Sequence, residues 1–173
     1  MTKEVAFIKV KNFINGEWVE ERGVETTPLF NPSDGGTIGE VPLSKPEASE
    51  RAVQAAHEAY DSWRKLSLNK RMSYLYAIRQ AMIDQEEELA FAIAVDQAKH
   101  ISEARGEVQR VVQIIETACT IPTLIQGETL TPIANNISGR VVKEPLGVFC
   151  GVAPFNFPGL VFGWFIPFAI GVG

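Results

Sequence analysis

The chain has 173 residues, enough for one domain with its own core, and its 21% charged and 46% hydrophobic residues are ordinary for a globular protein. A formal net charge of -5 and the lack of a basic cluster argue against a nucleic-acid partner. The start, "MTKEVAFIKVKNF", has neither the apolar block of a signal peptide nor an Arg-rich amphipathic presequence, so a cytoplasmic setting is expected.

"NFINGEWVE" predicts a hairpin, with Phe13 and Ile14 joined to Trp18 and Val19 through an Asn15-Gly16 turn. A second turn cluster, Asn31 to Gly36, lies between short apolar pieces. Ser44 with Glu47 three residues later predicts a capping box, Pro46 suits the first helical turn, and Val53, Ala56, Tyr60 and Trp63 mark one face. A further helix is expected from near Asn69 with Leu75, Ile78 and Met82 inward. The acidic run Asp84 to Glu88 suggests a break, after which Leu89 to Gln97 continues helical. Another helix is expected from about Ser102 to Ile121, with Val108, Val111, Ile115 and Ala118 inward and Pro122 as its stop. The pattern then turns to β-branched residues. "GRVVKEP" predicts one extended strand, "GVFCGVA" a second that is buried on both faces, and a helix is expected from Pro158. The order predicts an α/β chain.

Cys119 and Cys150 are far apart and form no close-spaced pair, so neither a disulfide framework nor a zinc site is suggested, and no metal is expected. From Leu146 to Gly173 there is no charged residue. That run is long enough to span a bilayer, and "GLVFG" matches a small-xxx-small helix-packing pattern. Yet Pro154, Pro158 and Pro167 interrupt it, and the proline-free piece Gly159 to Ile166 is roughly 12 Å long as a helix, against about 30 Å for a bilayer core. A buried strand, a rigid turn and a buried helix explain the residues better.

The lone amide of this run is Asn156, in "GVAPFNFPG". A buried amide without a partner costs on the order of 2–7 kcal/mol. It therefore either bonds the backbone locally, as asparagine commonly does in turns, or awaits a ligand. Pro154 and Pro158 restrict Ala153 and Phe157 to extended conformations, so "APFNFP" is expected as a stiff, extended strand-to-helix crossover. The carboxyl end of a parallel strand is also where α/β folds bind ligands.

"GVAPFNFP" resembles the Pro-x-Asn-Phe-Pro signature of the aldehyde dehydrogenase superfamily, and the resemblance covers essentially the whole chain. "FINGEWV" and "NPSDGGTIGEVPL" are similar to that family's N-terminal hairpins, and "AVQAAHEAYDSWRKLSLNKR" to its first helices. "EARGEVQRVVQIIETAC", "IQGETL" and "PLGVFCGVAPFNFP", with Phe155 in place of the Trp common elsewhere, resemble the methylmalonate or malonate semialdehyde dehydrogenases. The implied fold has N-terminal hairpins and helices (residues 1–126), an oligomerisation arm (127–145), and the opening strand of a Rossmann-type NAD-binding sheet (146–173).

The implied activity is NAD-dependent oxidation of an aldehyde through a cysteine thiohemiacetal and thioester, with the acyl group passed to coenzyme A. By the match, the Asn156 amide donates to the oxyanion, Ala153 and Phe155 contact the nicotinamide side of NAD, and Arg110 binds the substrate carboxylate. On spacing alone, Arg110 reads instead as an i,i+3 ion-pair partner of Glu107. Cys150 adjoins the motif, but an apolar strand without a basic neighbour should raise its thiol pKa rather than activate it. Cys119 reads as core, and His57 and His100 as solvated.

The family's nucleophilic cysteine and general-base glutamate lie beyond the motif. The chain therefore reads as the front part of a longer enzyme, inert alone, with "GRVVKEP" as an edge needing a partner subunit in a homodimer or homotetramer. The alternatives are an aldehyde dehydrogenase that releases a free acid, and a non-catalytic fragment that docks on full-length subunits.

Overall fold

A computed structural model of the chain describes residues 6–173. Residues 1–5, which open the stretch read above for a leader, lie outside it. Two short strands, β1 (Ile8–Lys9) and β2 (Asn12–Ile14), lead through the expected turn into β3 (Glu17–Val19). Asn15 and Gly16 take φ of 53° and 80°, the left-handed values that a two-residue hairpin connection demands. The register sets Phe13 opposite Trp18, with ring centroids 4.9 Å apart.

β4 (Thr26–Phe30) and β5 (Thr37–Pro42) make the second hairpin, and β1 adds parallel to β5, giving the order β1-β5-β4. The Asn31–Gly36 cluster turns as expected. Asn31 Oδ1 accepts from the Ser33 N–H at 2.9 Å and Asp34 Oδ1 from the Gly36 N–H at 2.8 Å, local bonds that take these residues out of a ladder.

Helices α1 (Pro46–Trp63), α2 (Leu68–Asp84), α3 (Glu86–Gln97), α4 (Ile101–Ala118) and the short α5 (Ile121–Leu124) follow. The capping box expected from Ser44 does not form. Pro46 opens α1, which places the cap at Lys45, and the Ser44 hydroxyl instead accepts from Asn12 Nδ2 at 3.0 Å, tying α1 to the first hairpin. α2 begins slightly earlier than expected because Ser67 Oγ accepts from the Lys70 N–H. The chain breaks at Gln85, as the acidic run suggested.

The inward face of α4 is as read: Val108, Val111, Ile115 and Ala118 are all buried. On α2, Leu75 is buried and Met82 packs at its edge, but Ile78 falls on the flank of the stripe and is exposed. On α1, Val53 and Ala56 are exposed, while Tyr60 and Trp63 are half-buried. Pro122 does not stop α4; it sits in the first turn of α5, where its missing N–H costs nothing. Two clusters form the core. Met72, Leu75, Val111, Ile115, Ala118 and Ile121 make one, and Ala90, Ile93, Ala104 and Val108 the other, so α4 serves both.

The hairpin β6 (Glu128–Ala134) and β7 (Ile137–Val141) stands apart, with every residue of β6 exposed. "GRVVKEP" contributes only Gly139 to Val141 to β7. The segment 147–153, expected as a strand buried on both faces, has no strand partner among the described residues, and Phe149 and Val152 are 68% and 90% exposed. A strand is buried only by neighbours on its faces. Here the segment crosses between α1 and the last helix, α6 (Leu160–Val172), where the Phe165 ring packs against Gly151.

α6 starts two residues after the expected Pro158. Gly159, Gly163, Pro167 and Gly171 recur at four-residue spacing, and the last three are buried. A Cβ on Gly163 would lie 3.0 Å from Val111 Cγ1, so the glycine permits α6 to press against α4. The "GLVFG" spacing is thus a packing seam inside the protein, while Phe162, Trp164 and Ile166 face outward. Among the described residues no helix is long and apolar enough to cross a membrane.

Candidate active site around Asn156

The motif folds as a turn rather than as an extended crossover. Phe155 and Asn156 turn, Phe157 bends, and Pro158 and Gly159 lead into α6. The prolines restrict only Ala153 and Phe157, which leaves Phe155 and Asn156 free to reverse direction. Asn156 is exposed, and its carbonyl accepts from Lys99 Nζ at 3.5 Å. Its side-chain amide makes no hydrogen bond among the described residues, so it is not used to brace the turn. Phe155 is 85% exposed on one side of it, and Ala153 is half-buried.

What braces the turn comes from α4 and the loop before it. Glu107 is 5% exposed, and its Oε1 accepts from the backbone N–H of Gly159 at 2.9 Å and of Leu160 at 3.1 Å. These are two of the donors that the first turn of α6 leaves without a partner of its own. Gly159, as N-cap, has no side chain to satisfy them. The other oxygen, Oε2, takes Lys99 Nζ at 2.7 Å, and the same ammonium lies 4.4 Å from the centroid of the Phe157 ring. A buried carboxylate at a helix N-terminus, with three donors, is fully satisfied.

Arg110 lies one turn further along α4, on its exposed side. It does not pair with Glu107, because that carboxylate points inward. Arg110 Nη1 donates instead to Gln113 Oε1 at 2.9 Å. The structure therefore places Phe155 and Asn156 in one turn, with Ala153 two residues before Phe155, and gives Arg110 no contact with them. Cys150 is exposed on the open segment rather than buried in a strand. Burial pushes the Cys119 thiol up, in keeping with a core position. His57 is exposed on α1. His100 is exposed too, but it caps α4, Nδ1 accepting from the Ser102 N–H at 3.3 Å.

The sequence profile of the aldehyde dehydrogenase family matches residues 18–173. The chain belongs to the aldehyde dehydrogenase family. Malonate-semialdehyde dehydrogenase 1 of Bacillus thuringiensis is 42% identical over 165 residues, covering 95% of this chain and 34% of that protein. The crystal structure of methylmalonate-semialdehyde dehydrogenase from Oceanimonas doudoroffii superposes with a TM-score of 0.91 at 30% identity, over 95% of this chain and 34% of that one. A putative methylmalonate-semialdehyde dehydrogenase from Sinorhizobium meliloti, complexed with NAD, gives 0.93 at 27% identity, over 98% and 35%. The chain spans about a third of the length of these relatives, and its α/β arrangement is the N-terminal portion of the aldehyde dehydrogenase fold.

In this aldehyde dehydrogenase portion, Glu107 and Lys99 are the residues that sequence reasoning missed. A signal for Glu107 was present: it lies on the apolar stripe of Ala104, Val108, Val111 and Ile115, where a carboxylate needs a buried partner. Lys99, in the loop after α3, carried no such signal.

Proposed function

We propose that this chain supplies one donor of the oxyanion hole, Asn156, to an NAD-dependent aldehyde dehydrogenase subunit acting on a malonate- or methylmalonate-semialdehyde-like aldehyde. The observation that carries this reading is the free Asn156 amide, held on a turn whose start-of-helix N–H groups are already engaged. When a nucleophile adds to an aldehyde, the carbonyl oxygen becomes anionic. A donor aimed beforehand needs no reorganisation at that moment, and losing one such donor typically costs about 10²–10³ in turnover, roughly 2.7–4 kcal/mol. The amide is neutral and does not titrate, so it donates across the working pH range.

Ala153 and the open Phe155 flank the amide with apolar surface, chemistry that suits the flat nicotinamide ring of NAD. Bound there, NAD supplies the hydride acceptor. Arg110 binds the substrate carboxylate in the same reading. Support comes from its guanidinium, which is tied to a neutral Gln113 and not neutralised by Glu107. Release of the product as a coenzyme A thioester rests on the resemblance to the semialdehyde subfamily. Assembly as a homo-oligomer is supported by β6–β7, where Leu130, Ile133, Ile137 and Val141 are exposed on a hairpin with open edges. A cytoplasmic setting completes the reading.

The test is made in the complete enzyme subunit. Asn156→Ala should lower kcat by about 10²–10³ with NAD binding unchanged, and omission of coenzyme A should stop turnover. Wild-type kcat in Asn156→Ala would rule out the oxyanion role, and steady release of free acid without coenzyme A would rule out the acylating outcome.

A further inference from the structure

We propose that Glu107, assisted by Lys99, is the positioning residue for the Asn156 amide. The inference rests on the oxyanion reading and deepens it. Three restraints converge on the turn from outside the motif. Glu107 Oε1 fixes the first two N–H groups of α6 at 2.9 and 3.1 Å, immediately after Phe157 and Pro158. Lys99 Nζ reaches the Asn156 carbonyl at 3.5 Å, the polar group of the same residue whose amide is left free. The same ammonium covers the Phe157 ring at 4.4 Å. The Glu107–Lys99 pair, at 2.7 Å with side chains 2% and 15% exposed, locks these contacts together.

The motif cannot do this for itself. Gly159 has no side chain, Pro158 has no N–H, and Asn156 leaves its amide unbonded. An exposed turn of this kind would sample several directions unless its ends were held. A donor displaced by about 1 Å from the developing oxyanion costs on the order of 10²-fold in rate even when the change is remote from the chemistry. Glu107 touches neither aldehyde nor cofactor in this reading; it acts through where Asn156 points. Its charge matters as well as its shape, because charge-assisted bonds to backbone N–H groups are shorter and about twice as strong as neutral ones.

The substitution Glu107→Gln keeps the side chain's length and one acceptor but removes the charge and the pairing with Lys99. In the complete enzyme it is expected to lower kcat by about 10- to 10²-fold with KM for the aldehyde nearly unchanged. In an Asn156→Ala background the same substitution is expected to cost almost nothing further, since a residue that acts only through Asn156 has nothing left to position. A plain structural cap gives the opposite result, an equal loss in both backgrounds, and that result overturns the proposal. So does unchanged kcat in Glu107→Gln. If Asn156→Ala itself retains wild-type kcat, the oxyanion reading falls and takes this inference with it, an outcome distinct from additivity. Should Glu107→Gln fail to fold by circular dichroism, Lys99→Met gives the same cycle with Glu107 in place. It is expected to lower kcat less than Glu107→Gln in the wild-type background and not at all beside Asn156→Ala; equal losses in both backgrounds count against the proposal.

Discussion

The two ends of α6 are held by the same electrostatic device with different consequences. At its N-terminus Glu107 accepts from two N–H groups. At its C-terminus Arg71 donates to the carbonyls of Gly171 (Nε, 3.0 Å) and Val172 (Nη2, 3.4 Å), and also to Leu66 (Nη1, 2.7 Å). Among the described residues these are the two buried charged side chains, each 5% exposed. Each has the sign that complements the helix dipole at its end. Burial pulls the Arg71 guanidinium down from its ordinary value, yet arginine starts high enough to stay charged at neutral pH. The carboxylate end adjoins Asn156, whereas the guanidinium end joins α6 to the connection between α1 and α2. One clamp therefore bears on chemistry in the proposed reading, and the other on stability alone.

Arg71→Ala separates them most sharply. It leaves the buried Gly171 carbonyl and the part-buried carbonyls of Leu66 and Val172 without this donor, at about 1–3 kcal/mol for a buried group and less for the others, and should destabilise by about 3 kcal/mol in a denaturant melt. Turnover per folded enzyme should stay unchanged; a matching fall in kcat would erase the distinction between the two ends. Gly171→Ala comes next. Its Cβ would run into Ile121 Cδ1 and lie 3.3 Å from Leu75 Cδ1 in a packed core, so a loss of about 1–3 kcal/mol is expected, measured in the same way. Wild-type stability would mean that the C-terminal end of the seam is looser than its packing implies.

The smallest effect is expected at Glu87 and Arg105, a pair between α3 and α4 with two bonds of 2.7 and 2.8 Å but open to solvent. Hydrogen bonding to Arg105 holds the Glu87 carboxyl below its ordinary value. A depressed carboxylate contributes stability above its unfolded pKa and loses it as pH falls through the folded one. The melting difference between wild type and Glu87→Gln should thus be slight at neutral pH and vanish in acid below the usual carboxylate range. A large difference at neutral pH would show that ion pairing, rather than burial at a helix end, sets the strength of these clamps.

Much of this was legible in the sequence. The Asn15-Gly16 hairpin, the inward face of α4 and the break near Gln85 follow from local chemistry and periodicity. Both clamps also left a trace, since Arg71 lies on the stripe of Leu75 and Met82, and Glu107 on that of Val108 and Val111. Their partners were not legible, because Gly171 lies 100 residues from Arg71 and Gly159 lies 52 from Glu107. Spacing within one helix suggested Arg110 as the partner of Glu107, and the fold sent the carboxylate to the other side. The segment 147–153 was misread for a related reason. Its β-branched and aromatic residues state a preference for a strand, but burial is conferred by neighbours, and Val148, Phe149 and Val152 stay exposed.

The small-residue seam of α6 has a consequence for where the motif's information resides. Gly163 and Pro167, in the helix interior, disfavour helix by about 1 and about 3 kcal/mol relative to alanine. The sequence after Asn156 therefore has little helical tendency of its own, and α6 is a helix because α2 and α4 receive it. In the proposed reading the direction of the amide is thus written in Glu107 and Lys99, which lie 52 and 57 residues before the groups they hold, and the nine letters "GVAPFNFPG" carry the donor without carrying its aim.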